Sequence, residues 1–227
     1  MSERFFQRYS LRIKPLLIAV LLIVFAASLA AQKAAPEKPL AAAAGVPLSI
    51  GIVVDNSGSY RSIFERVINS TNSLIADIRS NDEAFLVTFV DTPKIVLRQE
   101  MTGDQQQLRD SVENMFIEGG ATAILDAAMF SAKYLNEQAK AEPERSRVLI
   151  LITDGDERES AANIDDVVKT LRAGNIRVFV LGLHEEKIYG KVIDRLIKDT
   201  GGAKFVPRTP KETAAAVTSL LAAIRAK

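Results

Sequence analysis

A short apolar segment that ends abruptly in polar residues constrains the fold of this chain more than any other feature. Residues 48–54 read Leu-Ser-Ile-Gly-Ile-Val-Val, and this nearly unbroken apolar run predicts a strand that is buried on both faces. A carboxylate and two hydroxyls follow it directly, at Asp55, Ser57 and Ser59. In parallel α/β sheets, ligands bind where loops leave the carboxyl ends of the strands. These three side chains offer only oxygen atoms, which suits a hard cation such as Mg²⁺.

The rest of the chain alternates between strand and helix patterns, which predicts a doubly wound α/β sheet. Further strands are predicted at 85–90, 95–101, 148–152, 176–181 and 203–206. Helices are predicted from after Ser59 to about Arg79, at 102–115, from the loop after Gly120 to near Glu137, and at 163–173, 188–198 and 211–226. The turn at 91–94 is too short for a parallel crossover. The sheet is therefore expected to be mostly parallel, with one antiparallel edge strand at 95–101.

The N-terminal segment reads as a targeting element. Four basic residues in the first 14 precede a charge-free stretch from Leu16 to Ala30, which ends in the small-residue pattern Ser-Leu-Ala. This pattern predicts a signal peptide over 1–30, or alternatively an uncleaved inner-membrane anchor. A Pro- and Ala-rich linker is expected at 31–45 and the folded domain at 46–227. The domain is thus expected to be exported, as a periplasmic or secreted protein.

Composition excludes several classes of function. The chain has no Cys, which rules out disulfides and Cys-based zinc sites. Its formal charge of +1 argues against a nucleic-acid partner, which would favour a basic stripe. It has one His, at position 184, and no Gly-x-Ser-x-Gly, Walker or Gly-x-Gly-x-x-Gly motif accompanies it. These absences favour a binding module over an enzyme.

Three segments together resemble the von Willebrand factor type A (VWA) family, and in particular its bacterial subgroup. They are the Asp-x-Ser-x-Ser motif at 55–59, the Gly-Gly-x-Thr loop at 119–122 and the Thr-Asp-Gly motif at 153–155. The resemblance covers about residues 46–225. It implies a metal-ion-dependent adhesion site (MIDAS) that holds Mg²⁺, or alternatively Mn²⁺ or Ca²⁺, and captures an Asp or Glu of a protein partner. The metal ligands implied by the matching positions are Asp55, Ser57, Ser59, Thr122 and Asp154.

Four residues near these motifs are candidates for the rim that contacts the partner: Tyr60, Asp156, Glu157 and His184. Simpler roles stand beside each candidate. Tyr60 can pack on the following helix, the loop with Asp156 and Glu157 can be solvated with Ser160 capping the next helix, and His184 can be a surface residue. Asp126 is expected in the first turn of a helix, where the helix dipole favours an acid.

The sequence is also compatible with two other functions. The first is a Mg²⁺-dependent hydrolase, for example a phosphatase, although Ser57 stands where phosphatases with a nucleophilic aspartate carry a second acid. The second is an assembly scaffold that uses its other faces and holds no metal. In the adhesive members of the family, the C-terminal helix slides and changes affinity, and the helix at 211–226 is a candidate for the same motion.

Overall fold

The computed structural model describes residues 45–184 and 187–226. The predicted signal segment at 1–30, and all but the last residue of the predicted linker at 31–45, lie outside the described residues. The strands are β1 (Leu48–Asp55), β2 (Glu83–Phe89), β3 (Val96–Thr102), β4 (Ser146–Ile152), β5 (Ile176–Leu181) and β6 (Lys204–Phe205). The helices are α1 (Phe64–Ala76), α2 (Gln105–Glu113), α3 (Ile124–Gln138), α4 (Ile164–Ala173), α5 (Gly190–Thr200) and α6 (Pro210–Arg225).

The strands form one sheet in the order β3-β2-β1-β4-β5-β6. All neighbours pair in parallel except β2 and β3, which are antiparallel. The prediction of a mostly parallel sheet with one antiparallel edge strand is confirmed. In the register of β1 and β4, Val54 lies beside Ile152, so the polar residues that follow both strands leave the sheet at the same level.

Helices cover both faces of the sheet, as a doubly wound fold requires. Helices α1, α2 and α6 pack on one face, and α3, α4 and α5 pack on the other. All eight residues of β1 are buried. At Gly51, in the middle of β1, a Cβ atom would lie 2.4 Å from a methyl group of Leu149 and 2.5 Å from the ring of Phe85. A glycine is therefore needed where these two side chains close over the central strand.

The end of one helix differs from the prediction because a side chain bonds to the backbone there. Helix α1 was expected to reach about Arg79 but ends at Ala76, because the amide of Arg79 donates a hydrogen bond to Asp82 (2.9 Å) and the chain turns. The last helix begins as expected, since the hydroxyl of Thr209 accepts from the amide of Glu212. No helix in residues 45–184 or 187–226 combines the length and apolar character that a bilayer span requires.

Candidate metal and partner-binding site

Asp55 ends β1 as a completely buried carboxylate whose oxygens are already oriented. One oxygen, Oδ1, accepts a hydrogen bond from the amide of Ser57 (3.0 Å). The other, Oδ2, accepts from the hydroxyl of Thr153 (3.0 Å) on the neighbouring strand end. Burial raises the pKa of Asp55 from 3.8 to about 7, against the lowering effect of these hydrogen bonds, and the nearby charge of Asp154 adds to the rise. The carboxylate is therefore held in place but is poorly stabilised as an anion.

Ser57, Ser59 and Asp154 continue from Asp55 as one connected group. The hydroxyls of Ser57 and Ser59 lie 3.1 Å apart, and the Ser59 side chain acts to lower the pKa of the Asp154 carboxyl. Asp154 also accepts from the amide of Asp156 (3.0 Å), and burial raises its pKa. The structure thus brings together four of the five predicted metal ligands: hydrogen bonds link Asp55, Ser57 and Ser59, and the charge of Asp154 acts on Asp55.

The charge balance of this group fits a cation. No Lys or Arg in the described ranges forms an ion pair with Asp55 or Asp154, although buried charges in proteins are normally paired or bound to a metal. Within the same residues, no group of three or more His, Cys, Asp or Glu side chains comes together as a metal site. A cation held here would therefore depend on hydroxyl ligands as well as on the two carboxylates.

Thr122, the fifth predicted ligand, lies on a loop that is hydrogen-bonded to the loop carrying Asp154. Its carbonyl oxygen accepts from the amides of Arg158 (2.9 Å) and Glu159 (3.3 Å). Its side chain is buried. The contacts place the Thr122 backbone beside the Asp154 loop, and the role of its hydroxyl as a ligand stays a prediction.

Three side chains, which we call the loop clamp, fix these two loops to each other: Asp126, Glu157 and Ser160. Glu157 accepts from the amide of Leu125 (2.9 Å) and from the amide and hydroxyl of Ser160 (both 2.9 Å). Ser160 in turn accepts from the amide of Asp126 (3.1 Å). The loop clamp therefore caps the N-terminus of α3, directly behind Thr122, with side chains from the loop after β4.

Asp126 completes the loop clamp from the helix side. Its carboxylate accepts from the amides of Ala161 (2.9 Å) and Ala162 (2.7 Å) and from the hydroxyl of Thr92. Although burial acts to raise its pKa, the hydrogen bonds prevail and lower it below the ordinary value. Asp126 is thus a structural anion, which goes beyond the helix-dipole role that the sequence suggested.

The structure places the four predicted rim residues in different environments. Tyr60 borders the same cleft as Ser59 and Asp154. It is nevertheless buried, with its hydroxyl donating to the carbonyl of Leu183 (2.9 Å), so its ring is not exposed to a partner. Glu157 turns inward to the loop clamp. His184 lines a cleft of about 500 Å³ together with Ser59, Asp154 and Asp156, so these residues do face the same space. Asp156 also pairs with Arg158 (Nε to Oδ2, 2.7 Å).

One expectation about this region needs correction, and one residue of the site was not anticipated. Ser160 was considered as the cap of the helix after β4, but Asn163 caps α4 by accepting from the amide of Asp166 (2.9 Å), because Ser160 is engaged by the loop clamp. Thr153 was not singled out as a site residue, yet it joins the two strand ends through its bond to Asp55. Its place directly before Asp154, at a strand end, was the signal that could have identified it.

Asn56 is a further residue of the site that the sequence did not reveal. It is buried, and its amide donates to the carbonyl of Phe89 (3.1 Å) while its own carbonyl accepts from the amide of Glu118 (2.9 Å). Its side-chain amide donates to the carbonyl of Phe116 (2.9 Å). Asn56 therefore ties the loop between α2 and α3 to the loop that carries Ser57 and Ser59.

Comparisons with known proteins agree on the fold. The family model described as the von Willebrand factor type A domain matches residues 49–218. A search of curated proteins finds no match. Among solved structures, the chain is similar to an aerotolerance-related membrane protein from Bacteroides fragilis NCTC 9343 carrying multiple mutations to serines (18% identity, 78% of this chain and 98% of that chain, TM-score 0.62).

Two other solved structures are similar at the same level. One is the conserved hypothetical protein BatB from Bacteroides thetaiotaomicron, with 17% identity over 77% of this chain and 98% of that chain and a TM-score of 0.59. The other is a von Willebrand factor type A protein from Catenulispora acidiphila, with 19% identity over 80% of this chain and 43% of that chain and a TM-score of 0.67. At these identities the likeness concerns the fold.

Proposed function

The chain belongs to the von Willebrand factor type A family, and from this premise we propose that it binds a protein partner through a MIDAS at the carboxyl ends of β1 and β4. Domains of this family generally mediate protein–protein interaction and are not enzymes. The residues that would hold the metal are Asp55, Ser57, Ser59, Thr122 and Asp154. A bound Mg²⁺ would supply an open coordination position for an Asp or Glu of the partner.

One observation carries this proposal: two buried carboxylates converge with two serine hydroxyls where no basic side chain pairs with them in the described structure. The hydrogen bonds from Ser57 and Thr153 hold Asp55 in one orientation before any ligand arrives. The loop clamp holds the Thr122 loop against the Asp154 loop in the same way. Such preorganisation reduces the ordering cost that binding would otherwise incur.

We further propose that the domain acts outside the cytoplasm, in the periplasm or after secretion. The support is the segment at 1–30, with its basic start and charge-free apolar stretch. If this segment is not cleaved, it would anchor the domain to the inner membrane. One of the similar solved structures is described as a membrane protein, which agrees with either form.

Calorimetric titration of the purified full chain with MgCl₂ tests the metal site. We expect one site for Mg²⁺ in the wild type and no measurable binding in Asp55→Ala, with parallel titrations of MnCl₂ and CaCl₂ ranking the metals. Asp165→Ala, at an exposed position in the first turn of α4, is the matched control and should bind as the wild type does. Equal binding by the wild type and Asp55→Ala would refute the proposed site.

A further inference from the structure

A cavity of about 310 Å³ lies at the edge of the sheet opposite the metal site. Leu48 and Ser146, at the starts of β1 and β4, line it together with the end of α6, and Gly45 borders it. Pockets for small molecules measure about 300 to 1,000 Å³, so this cavity can hold a small ligand. Because the metal site lies at the carboxyl ends of the strands and the cavity at their amino ends, the two are separate.

Three arginines supply all the charge that lines the cavity in the described part of the chain: Arg79, Arg177 and Arg225. The charge of Arg225 is already balanced, because its Nε donates to Asp77 (3.0 Å) and its Nη2 to Asp82 (2.8 Å). Burial acts to lower the pKa of Arg225, but the hydrogen bonds to these two acids prevail and raise it. Arg225 is therefore a structural wall of the cavity.

Arg177 is half-buried in the cavity wall and has no acidic partner. Its Nη2 donates to the carbonyl of Ile224 (2.6 Å) and to the hydroxyl of Ser146 (3.4 Å), and its guanidinium carbon lies 5.3 Å from the ring centroid of Phe179. No Asp or Glu of residues 45–184 or 187–226 forms an ion pair with it. Burial accordingly lowers the pKa of Arg177. Its positive charge is thus placed by the fold but not neutralised.

Arg79 lies at the Gly45 side of the cavity, with its backbone fixed and its charge free. The amide of Arg79 donates to Asp82 (2.9 Å), and a Cβ atom on Gly45 would lie 3.1 Å from its Nη1. Gly45 is held in turn, because its carbonyl accepts from the side chain of Asn81 (3.2 Å). Within the described ranges Arg79 forms no ion pair. A second unbalanced guanidinium group therefore borders the same space as that of Arg177.

Two guanidinium groups without acidic partners around one cavity favour an anion as the ligand. A cation that is withdrawn from water costs free energy unless an opposite charge approaches it. The planar fork of N–H donors in Arg matches the oxygens of a phosphate group, to which it can donate two parallel hydrogen bonds. Ser146, which also lines the cavity, adds a hydroxyl that can donate to a third oxygen.

We propose that this cavity is a binding site for a phosphate group, with Arg79 and Arg177 as its charged contacts. Two sources share this chemistry: a free phosphate ion and the headgroup of an anionic phospholipid. The position of Gly45 supports the second source, because only residues 31–44 separate it from the charge-free apolar stretch that ends at Ala30. A cavity so close along the chain to a predicted membrane segment is within reach of lipid headgroups if that segment remains as an anchor.

Calorimetric titration of the full chain in a maltoside detergent with EDTA tests the site apart from any metal. We expect one site for sodium phosphate, and about tenfold weaker binding in Arg79→Gln and in Arg177→Gln, as the loss of a hydrogen bond to a charged group predicts. Arg172→Gln removes an exposed arginine in the last turn of α4 and is the matched control, which should bind as the wild type does. Sodium acetate, a planar anion, should bind more weakly than phosphate.

A parallel titration with glycerophosphoglycerol, the soluble headgroup of phosphatidylglycerol, distinguishes the two sources. Binding of this phosphodiester, with the same loss in Arg79→Gln, supports the lipid headgroup, whereas binding of phosphate alone supports the free ion. Absence of binding by both compounds overturns the inference, as does acetate binding as tightly as phosphate. Arg79→Gln should unfold in urea as the wild type does, because its guanidinium has no ion pair to lose, and unchanged phosphate affinity in this folded variant also overturns the inference.

Discussion

The buried carboxylate of Asp55 should make the metal-free protein less stable than a variant that cannot use the site. Its pKa in the folded protein is raised from 3.8 to about 7. A raised pKa means that ionisation is harder in the folded state than in the unfolded state. The free energy of unfolding therefore begins to fall as pH rises above about 4, and the loss is complete above about 7. At 1.36 kcal/mol for each pKa unit, the full cost is about 4 kcal/mol.

Asp55→Asn removes this cost and keeps nearly the same shape. In EDTA at pH 8, we expect the variant to be more stable than the wild type by about 2 to 4 kcal/mol. The lower value reflects that the Asn side chain has one acceptor oxygen, so that its NH₂ group must donate to the Thr153 hydroxyl where the carboxylate accepted from it. At pH 5 the difference should shrink, because Asp55 is then mostly protonated in the folded state. Urea unfolding followed by circular dichroism, at several pH values between 5 and 8.5, measures both quantities.

Magnesium should narrow or close the difference between the two proteins at pH 8. A ligand present at 100 times its dissociation constant stabilises the folded state by about 2.7 kcal/mol, and only the wild type would receive this contribution. Asp126→Asn is the control with the opposite sign, because the pKa of Asp126 is lowered by its hydrogen bonds. Loss of stability in Asp55→Asn at pH 8 in EDTA, similar to that in Asp126→Asn, would refute the reasoning.

Three further changes test the surroundings of the site. Asp126→Asn should destabilise the protein by about 2 kcal/mol above pH 4, because the wild-type carboxylate stabilises the fold there and loses this contribution only as pH falls through its lowered pKa. Unfolding experiments should therefore show a larger difference between wild type and variant at pH 7 than at pH 3. Gly155→Ala should lower the melting temperature and weaken Mg²⁺ binding, because φ at this residue is +82° and a Cβ would lie 2.1 Å from a carbonyl oxygen. Gly58→Ala is the control: the space around this residue is open, so the melting temperature and Mg²⁺ binding should stay unchanged. Arg225→Ala should cost about 3 kcal/mol in urea unfolding, because it leaves a fully buried partner carboxylate without its cation, and an unchanged midpoint would contradict this role.

The sequence predicted the fold well where the information is local. The apolar runs of β1 and β4 identify the central strands, and the four-residue turn at 91–94 requires the antiparallel edge. The grouping of Asp55, Ser57 and Ser59 is also local, because they lie within five consecutive residues and stay close together in any fold. Asp154 follows from one additional rule, that the carboxyl ends of neighbouring parallel strands meet at one edge of the sheet.

The residues that sequence reasoning misplaced depend on contacts between distant parts of the chain. The hydroxyl of Tyr60 reaches Leu183, which is 123 positions away, and so the ring is buried although its place beside Ser59 suggested the rim. Glu157 bonds to an amide 32 positions before it. No local pattern distinguishes an acid that caps a distant helix from one that faces solvent, so the loop clamp could be seen only in the structure.

A second buried aspartate in the same chain shows what is unusual about Asp55. The carboxylate of Asp82 is also fully buried, but it accepts from the amides of Leu48 and Arg79 (both 2.9 Å) and pairs with Arg225 (2.8 Å). That is how a purely structural buried charge is normally compensated. Asp55 has hydrogen bonds but no basic partner among residues 45–184 and 187–226. A carboxylate that the fold orients but does not neutralise is suited to a positive ligand from outside the chain, which is the central argument for a metal at this site.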